Sequence, residues 1–314
     1  MKGLDLAAGF FREFGKPMLN EQFSDVLPYL AVGLVGSGSE CYGYDDDISK
    51  DHDFEAGFCI FLPSEDIVDR QTAFRLERAY SKLPSEYLGV KRSPLSPVGG
   101  NRHGVIRTAD FFYAKTGSPD GELTLSEWFS IPEYSLLEAT NGAVFLDNFG
   151  EFSKIRERLS YFPEDIRLKK LAGNLLLLGQ SGQYNFNRCV FRGDTAAAQL
   201  SVFEFFKSAL SVLFLLKKQY MPYYKWSFRA LRELYKDNGE LINQLEFLIS
   251  NDNAEQTAKL KSDIIEKICS QISAMLRNQA LTPSNTSEME QQAYIVNDNI
   301  RDNNIRNAHI LAAV

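Results

Sequence analysis

The first unbroken apolar run is Ala31-Val32-Gly33-Leu34-Val35, and Gly36-Ser37-Gly38-Ser39 stops it: the pattern of a buried strand ending in a tight turn. Residues 21–31 before it have helical spacing. A polar stretch with three consecutive aspartates follows, and then Asp53-Phe54-Glu55-Ala56-Gly57-Phe58-Cys59-Ile60-Phe61-Leu62 turns apolar and aromatic before Pro63, which predicts a second strand. Over 64–83 the apolar positions Ile67, Phe74, Leu76 and Tyr80 return at helical spacing, with Ser64 as the expected cap and Glu65 and Asp66 in the first turn. Beyond a Pro- and Gly-rich link at 93–100, residues 104–107 read as a third strand. Thr108 and Thr124 then open two short helices, the second with the Thr124/Glu127 spacing of a capping box. Residues 142–146 predict a further short strand.

From about residue 151 the pattern changes to long helical stretches, at 163–182, 195–220, 225–236, 238–249 and 254–279. From Thr282 on, Asn and Gln dominate and large apolar residues are few, so a partly ordered tail or a docking helix is expected. The expected organisation is two domains, 1–150 and 151–314, in keeping with domains of about 100–200 residues. The fold class is α+β: a mixed β-sheet with flanking helices, followed by a mainly helical domain. The most apolar helix, 200–216, contains Glu204 and Lys207, and its run 208–216 falls short of the roughly 20 residues a bilayer requires. A buried helix is expected there.

Composition changes little in this picture. Apolar residues make up 44% and charged residues 24%, so a packed core is expected. The balance of 34 basic against 41 acidic residues argues against a general nucleic-acid binder without excluding RNA. Cys41, Cys59, Cys189 and Cys269 are far apart and form no Cys-x-x-Cys pair, which points away from zinc and disulfides and towards a reducing, cytoplasmic setting. Asp5, Arg12 and Glu13 interrupt the apolar residues at the N-terminus, and no signal peptide or membrane association is expected.

The candidate chemistry lies between the first two strands. A Gly-Ser turn after a strand presents backbone N–H groups and a hydroxyl to phosphate oxygens, and glycine permits the close approach. Gly36, Ser37 and Ser39 are the candidate contacts, Ser37 ahead of Ser39. Asp51 and Asp53 alternate along an expected extended segment, so both carboxylates share one face. Two such oxygens, completed by water and triphosphate oxygens, suit Mg²⁺ or Mn²⁺. His52 between them is expected to point away, and Glu55 shares their face. Of Asp45, Asp46 and Asp47, most are expected to be solvated, with Asp46 the candidate exception. In the helical half, Arg188 and Arg192, with Asp194 beside them, and the run Tyr223-Tyr224-Lys225-Trp226 cluster types that neutralise phosphate or stack on a base. Arg188 and Lys225 are the nucleotide-binding candidates.

An apolar residue, Gly-Ser, a spacer of 13 residues (38–50) and acid-x-acid on the next strand resembles the DNA polymerase β-like nucleotidyltransferase superfamily. The segments GSGSECYGYDD, DHDFE, GFCIFL, LTLSEWF, GAVF and YMPYYKW resemble an uncharacterised bacterial family within it, over the chain to about residue 235. The resemblance implies a mixed sheet flanked by helices with a helical domain, Asp51 and Asp53 as metal ligands and catalytic acids, and a third carboxylate on a later strand. Asp110, after the 104–107 strand, is the first candidate for that third acid. The function expected is metal-dependent transfer of a nucleoside monophosphate from a triphosphate to an acceptor hydroxyl on a small molecule such as an antibiotic, on a tRNA, or on a protein. The alternative is a catalytically silent nucleotide-binding or regulatory module, for example of a toxin–antitoxin system. Oligomeric state is not legible.

Overall fold

A computed structural model describes residues 1–48, 54–93 and 102–314. Asp51, His52 and Asp53 lie outside the described residues, as does nearly all of the 93–100 link. The described chain forms two compact units, one of Met1–Leu123 with Ile131–Ser160 and one of Thr124–Ser130 with Tyr161–Val314.

In the first unit, α1 (Gly3–Phe10) passes through a π-helical stretch, Phe11–Gly15, into α2 (Lys16–Gln22). Helix was expected at 21–31, yet it stops at Phe23 and only a 3₁₀ turn, Leu27–Tyr29, follows. Pro28 has no N–H for a helix and disfavours helical geometry at Leu27. β1 (Ala31–Leu34) pairs antiparallel with β2 (Cys59–Leu62). The second strand is shorter than its apolar run because the Phe58 N–H donates to the Tyr80 hydroxyl at 3.1 Å, so the residues just before Cys59 line the core as a loop.

α3 (Arg70–Ser81) starts later than Ser64, because the Asp69 carboxylate caps it by accepting the Thr72 N–H at 2.7 Å. Ser64 instead closes a turn with its carbonyl, which accepts from Ile67 and Val68 at 3.1 Å each. A small hairpin of β3 (Glu86–Tyr87) and β4 (Val90–Lys91), β5 (Gly104–Arg107) and α4 (Thr108–Thr116) come next. α5 (Leu125–Ser130) belongs to the second unit, and its capping box forms as expected: the Glu127 carboxylate accepts the Thr124 N–H at 2.7 Å and the Thr124 hydroxyl accepts the Glu127 N–H at 3.3 Å. α6 (Glu133–Thr140), β6 (Ala143–Asp147) and α7 (Glu151–Arg158) complete the first unit.

The main sheet has the order β5-β2-β1-β6, with β2 and β5 parallel and β1 antiparallel to both its neighbours. Phe61 of β2 stacks on Phe152 of α7 at 4.1 Å and meets Phe111 of α4 at 5.3 Å. Ile60 and Leu62 point the other way, into a cluster with Leu6, Phe10, Leu76 and Tyr80. Both faces of the sheet are thus covered by helices, which is why β2 reads as an unbroken apolar run. The register also sets the site: the turn after β1 lies at the sheet end where β2, β5 and β6 begin, since Gly33 pairs with Cys59, Cys59 with Gly104 and Leu34 with Ala143.

The second unit is helical. α8 (Glu164–Leu178) is buried along nearly its whole length and runs on through a π-helical stretch, Gly179–Phe186, to α9 (Asn187–Phe191). α10 (Thr195–Leu216), α11 (Tyr224–Leu234), α12 (Gly239–Ser250), α13 (Glu255–Asn278), α14 (Met289–Asp298) and α15 (Asn303–Asn307) follow. α10 is, among the described residues, a helix long and apolar enough to cross a membrane, but Val202, Phe205, Ala209, Val212 and Leu213 are fully enclosed by this unit. The Asn-rich tail is ordered, with α14 packed along α8 and Met289, Ala293, Val296 and Ile300 fully buried. The chain is therefore mixed α+β, a small mixed sheet flanked by helices with a helical C-terminal region.

Candidate functional site

The turn after β1 is shaped by two glycines in backbone conformations that side chains rarely adopt, Gly36 at φ 98° and Gly38 at φ 117°. Asn141, between α6 and β6, clamps Gly36 on both sides: its Oδ1 accepts the Gly36 N–H at 2.8 Å and its amide donates to the Gly36 carbonyl at 2.9 Å. Gly36 is buried, Ser37 is exposed and Ser39 is half-buried, so the turn presents Ser37 outward.

Two cations converge on Ser37. Lys115, in the last turn of α4, donates to the Ser37 hydroxyl at 3.0 Å, and Arg102, just before β5, donates to the Ser37 carbonyl at 2.7 Å. Each is matched by a carboxylate. Glu138 of α6 accepts from Lys115 at 2.6 Å, from the Ser37 hydroxyl at 2.9 Å and from the Tyr42 hydroxyl at 2.9 Å. Glu40, itself buried, pairs with Arg102. A Cβ on Gly38 would collide with the Arg102 guanidinium and the Glu40 carboxylate, so glycine lets these charges close over the turn.

Burial alone would raise the Glu138 carboxyl, but the hydrogen bond and charge of Lys115, with donation from Tyr42 and Ser37, hold it below the ordinary range. The Tyr42 phenol is pushed upwards, first by burial and then by the neighbouring Glu138 charge. Burial pushes the Cys59 thiol up to about 12, with Arg102 opposing, so this cysteine is no nucleophile near neutral pH.

At the same sheet end, Glu55 accepts from the Ser93 N–H and meets His103 Nδ1 at 2.9 Å. Burial would raise Glu55, and the bonds to His103 and Ser93 outweigh it and lower it. His103 is buried against Gly57, and its Nε2 has no hydrogen-bond partner among the described residues.

The other predicted residues are placed as follows. Asp45 is not solvated: it is buried and accepts the Gly3 N–H at 2.8 Å, capping α1 from a distance, with Lys2 3.2 Å away. Asp46 accepts the Ile48 N–H at 3.1 Å. Asp110 is exposed in the first turn of α4 and lines a cleft of about 350 Å³ with Leu62, Arg70, Phe74, Glu77 and Arg107. That cleft lies where β2 and β5 end, whereas the Ser37 turn lies where they begin.

In the second unit, exposed Arg188 lies 4.6 Å from the Tyr184 ring centre and exposed Lys225 4.9 Å from that of Trp226. Asp194 caps α10 through the Ala197 N–H at 3.0 Å. Among the described residues no group of three or more His, Cys, Asp or Glu could hold a metal ion, and the expected ligands Asp51 and Asp53 lie outside those residues.

Known proteins add one family and one structure. The family model described as a domain of unknown function, DUF4037, matches residues 128–227. A nucleotidyltransferase-like protein from Exiguobacterium sibiricum 255-15, solved by crystallography, is 13% identical to this chain at a TM-score of 0.40, over 85% of this chain and 78% of that one. A likeness that loose carries no weight for function. No curated protein matches.

Sequence reasoning did not find Lys115, Arg102, Glu138, Asn141 and His103. Nothing local distinguishes Lys115 or Glu138 from any helix-surface charge; strand order alone brings them to the turn.

Proposed function

We propose that the chain is a nucleotidyltransferase, moving a nucleoside monophosphate from a nucleoside triphosphate to an acceptor hydroxyl. The acceptor oxygen bonds to the α-phosphorus, the bond from that phosphorus to the bridging oxygen breaks, pyrophosphate leaves, and the hydroxyl proton passes to solvent. The observation that carries this reading is the exposed Ser37 hydroxyl, in a turn of positive-φ glycines with the Lys115 ammonium and Arg102 guanidinium upon it. A hydroxyl and two cations are donors of the kind a triphosphate requires.

The residue order Gly36-Ser37, spacer, Asp51-x-Asp53 supplies the rest of the case. In this reading Asp51 and Asp53 hold Mg²⁺ or Mn²⁺, and the ion, when bound, neutralises charge on the reacting phosphoryl group. An acidic chain favours a cationic small molecule over RNA as acceptor by charge complementarity. Isothermal titration with ATP or GTP and Mg²⁺, and transfer from labelled triphosphate to separate pools of RNA, protein and antibiotic, test the proposal. Metal-dependent binding and transfer are expected in the wild type and not in Asp51→Ala/Asp53→Ala; their absence in the wild type, or persistence in the variant, sinks it.

A second reading, a silent nucleotide-binding module, is favoured by one observation: Asp110 stands at the far end of β5 from the Ser37 turn. Nucleotide binding with no pyrophosphate released in any acceptor pool would select it.

A further inference from the structure

The two groups best placed to meet a phosphate oxygen, the Ser37 hydroxyl and the Lys115 ammonium, are both engaged by one oxygen, Oε2 of Glu138. Tyr42 holds the other oxygen of that carboxylate, whose side chain is only 14% exposed. Its low pKa keeps it ionised around neutral pH. On the other side of the turn, Arg102 is matched in the same way by Glu40. A cradle built to attract a free polyanion collects unmatched cations. Here the described cluster of Lys115, Glu138, Arg102 and Glu40 sums to no net charge, and its donors supply geometry rather than a positive field.

We propose that Glu138 is a specificity-determining residue that makes this turn discriminate by charge, accepting a triphosphate as its magnesium complex and rejecting the free anion. The inference rests on the nucleotide-binding reading of the Ser37 turn. An anion on Ser37 and Lys115 meets the Glu138 carboxylate at close range, and each further negative charge on the ligand raises the repulsion. A divalent ion removes two of those charges, so the complex escapes most of the penalty. Lys115 alone would reward the most highly charged ligand; Glu138 cancels that reward.

The test is isothermal titration of the full chain with ATP, once with excess Mg²⁺ and once with EDTA. Wild type is expected to bind the magnesium complex and to bind free ATP more weakly. Glu138→Gln, which keeps the side-chain shape and one accepting oxygen and removes the charge, is expected to tighten binding of free ATP on the order of tenfold, with a smaller change for the complex. Glu138→Ala serves as the second charge-removing variant should Gln fold poorly, and Glu138→Asp, which keeps the charge, is expected to retain the discrimination. If wild type binds the complex and removing the charge leaves affinity for free ATP unchanged, the role assigned to Glu138 is wrong while the nucleotide reading stands. If wild type binds no triphosphate with or without Mg²⁺, the functional reading itself falls.

Discussion

The Lys115 ammonium lies 3.0 Å from the Ser37 hydroxyl although 78 residues separate them in the chain. α4 runs back from the end of β5 towards its start, and its last turn therefore delivers a cation to the turn that follows β1. That return path makes Lys115 part of the candidate site.

Replacing the cation tests this directly. Lys115→Met is expected to weaken binding of the ATP–magnesium complex by about 1.5–3 kcal/mol, the worth of a hydrogen bond to a charged group. That is roughly ten- to a hundredfold in Kd, read by isothermal titration, with a thermal melt to register the cost of leaving Glu138 unpaired. An unchanged Kd removes Lys115 from the site.

Gly38 and Gly43 separate backbone strain from crowding. Gly43→Ala adds a Cβ into open space at φ 75°, so urea denaturation should show a loss of about 1–2 kcal/mol from the left-handed backbone alone. Gly38→Ala carries a backbone cost of the same order and also drives a methyl group into Arg102 and Glu40. The larger loss, together with weakened ATP binding, is expected there. Equal losses at the two positions would show that the Arg102–Glu40 closure over the turn is not stabilising.

Acid should loosen the first unit. Glu138 and Glu55 both have carboxyls held below the ordinary range in the folded chain, burial being outweighed by Lys115, Tyr42 and Ser37 for the one and by His103 and Ser93 for the other. A carboxyl of depressed pKa contributes stability that is present above the unfolded value, about 4.3 for Glu, and is lost as pH falls through the folded value. The melting temperature is therefore expected to fall on acidification from about pH 6 to pH 3. Glu138→Gln should lower Tm at neutral pH and flatten that acid limb, and an acid limb as steep as the wild type's would count against the contribution of Glu138.

Lys169 is fully buried in α8, where its ammonium donates to the Asn297 side chain at 2.9 Å and to the carbonyls of Arg306 at 3.1 Å and Ala308 at 2.6 Å. Lys169→Met leaves those acceptors without their donor, at about 1–3 kcal/mol for each that stays dry. Hydrogen exchange should then quicken first in 289–308. Protection there equal to the wild type's would mean that Met289, Ala293, Val296 and Ile300 hold the tail without the lysine.

Much of the fold was legible in the chain. The runs at 31–35 and 104–107 became β1 and β5, and the Thr124/Glu127 box closed as its spacing implied. These features depend on residues within a few positions of one another. Long-range bonds account for the departures: Tyr80 takes the Phe58 N–H and β2 starts late, and Asp45 leaves water to cap α1. Composition left the tail open between a partly ordered segment and a docking helix, and the few apolar residues it has fall on one face of α14, against α8.

The sequence by itself determined that a strand ends in Gly36-Ser37, that a second apolar strand follows a cluster of acids, and that the second half is helical, because periodicity and turn chemistry are local. Only the tertiary structure decided which charges meet the turn. Asn141, Glu138 and Arg102 reach Gly36 and Ser37 from 105, 101 and 65 residues away, since parallel β2 and β5 and antiparallel β1 gather the start of three strands at one sheet end. No spacing along the chain records that convergence, for it is set by strand order and register.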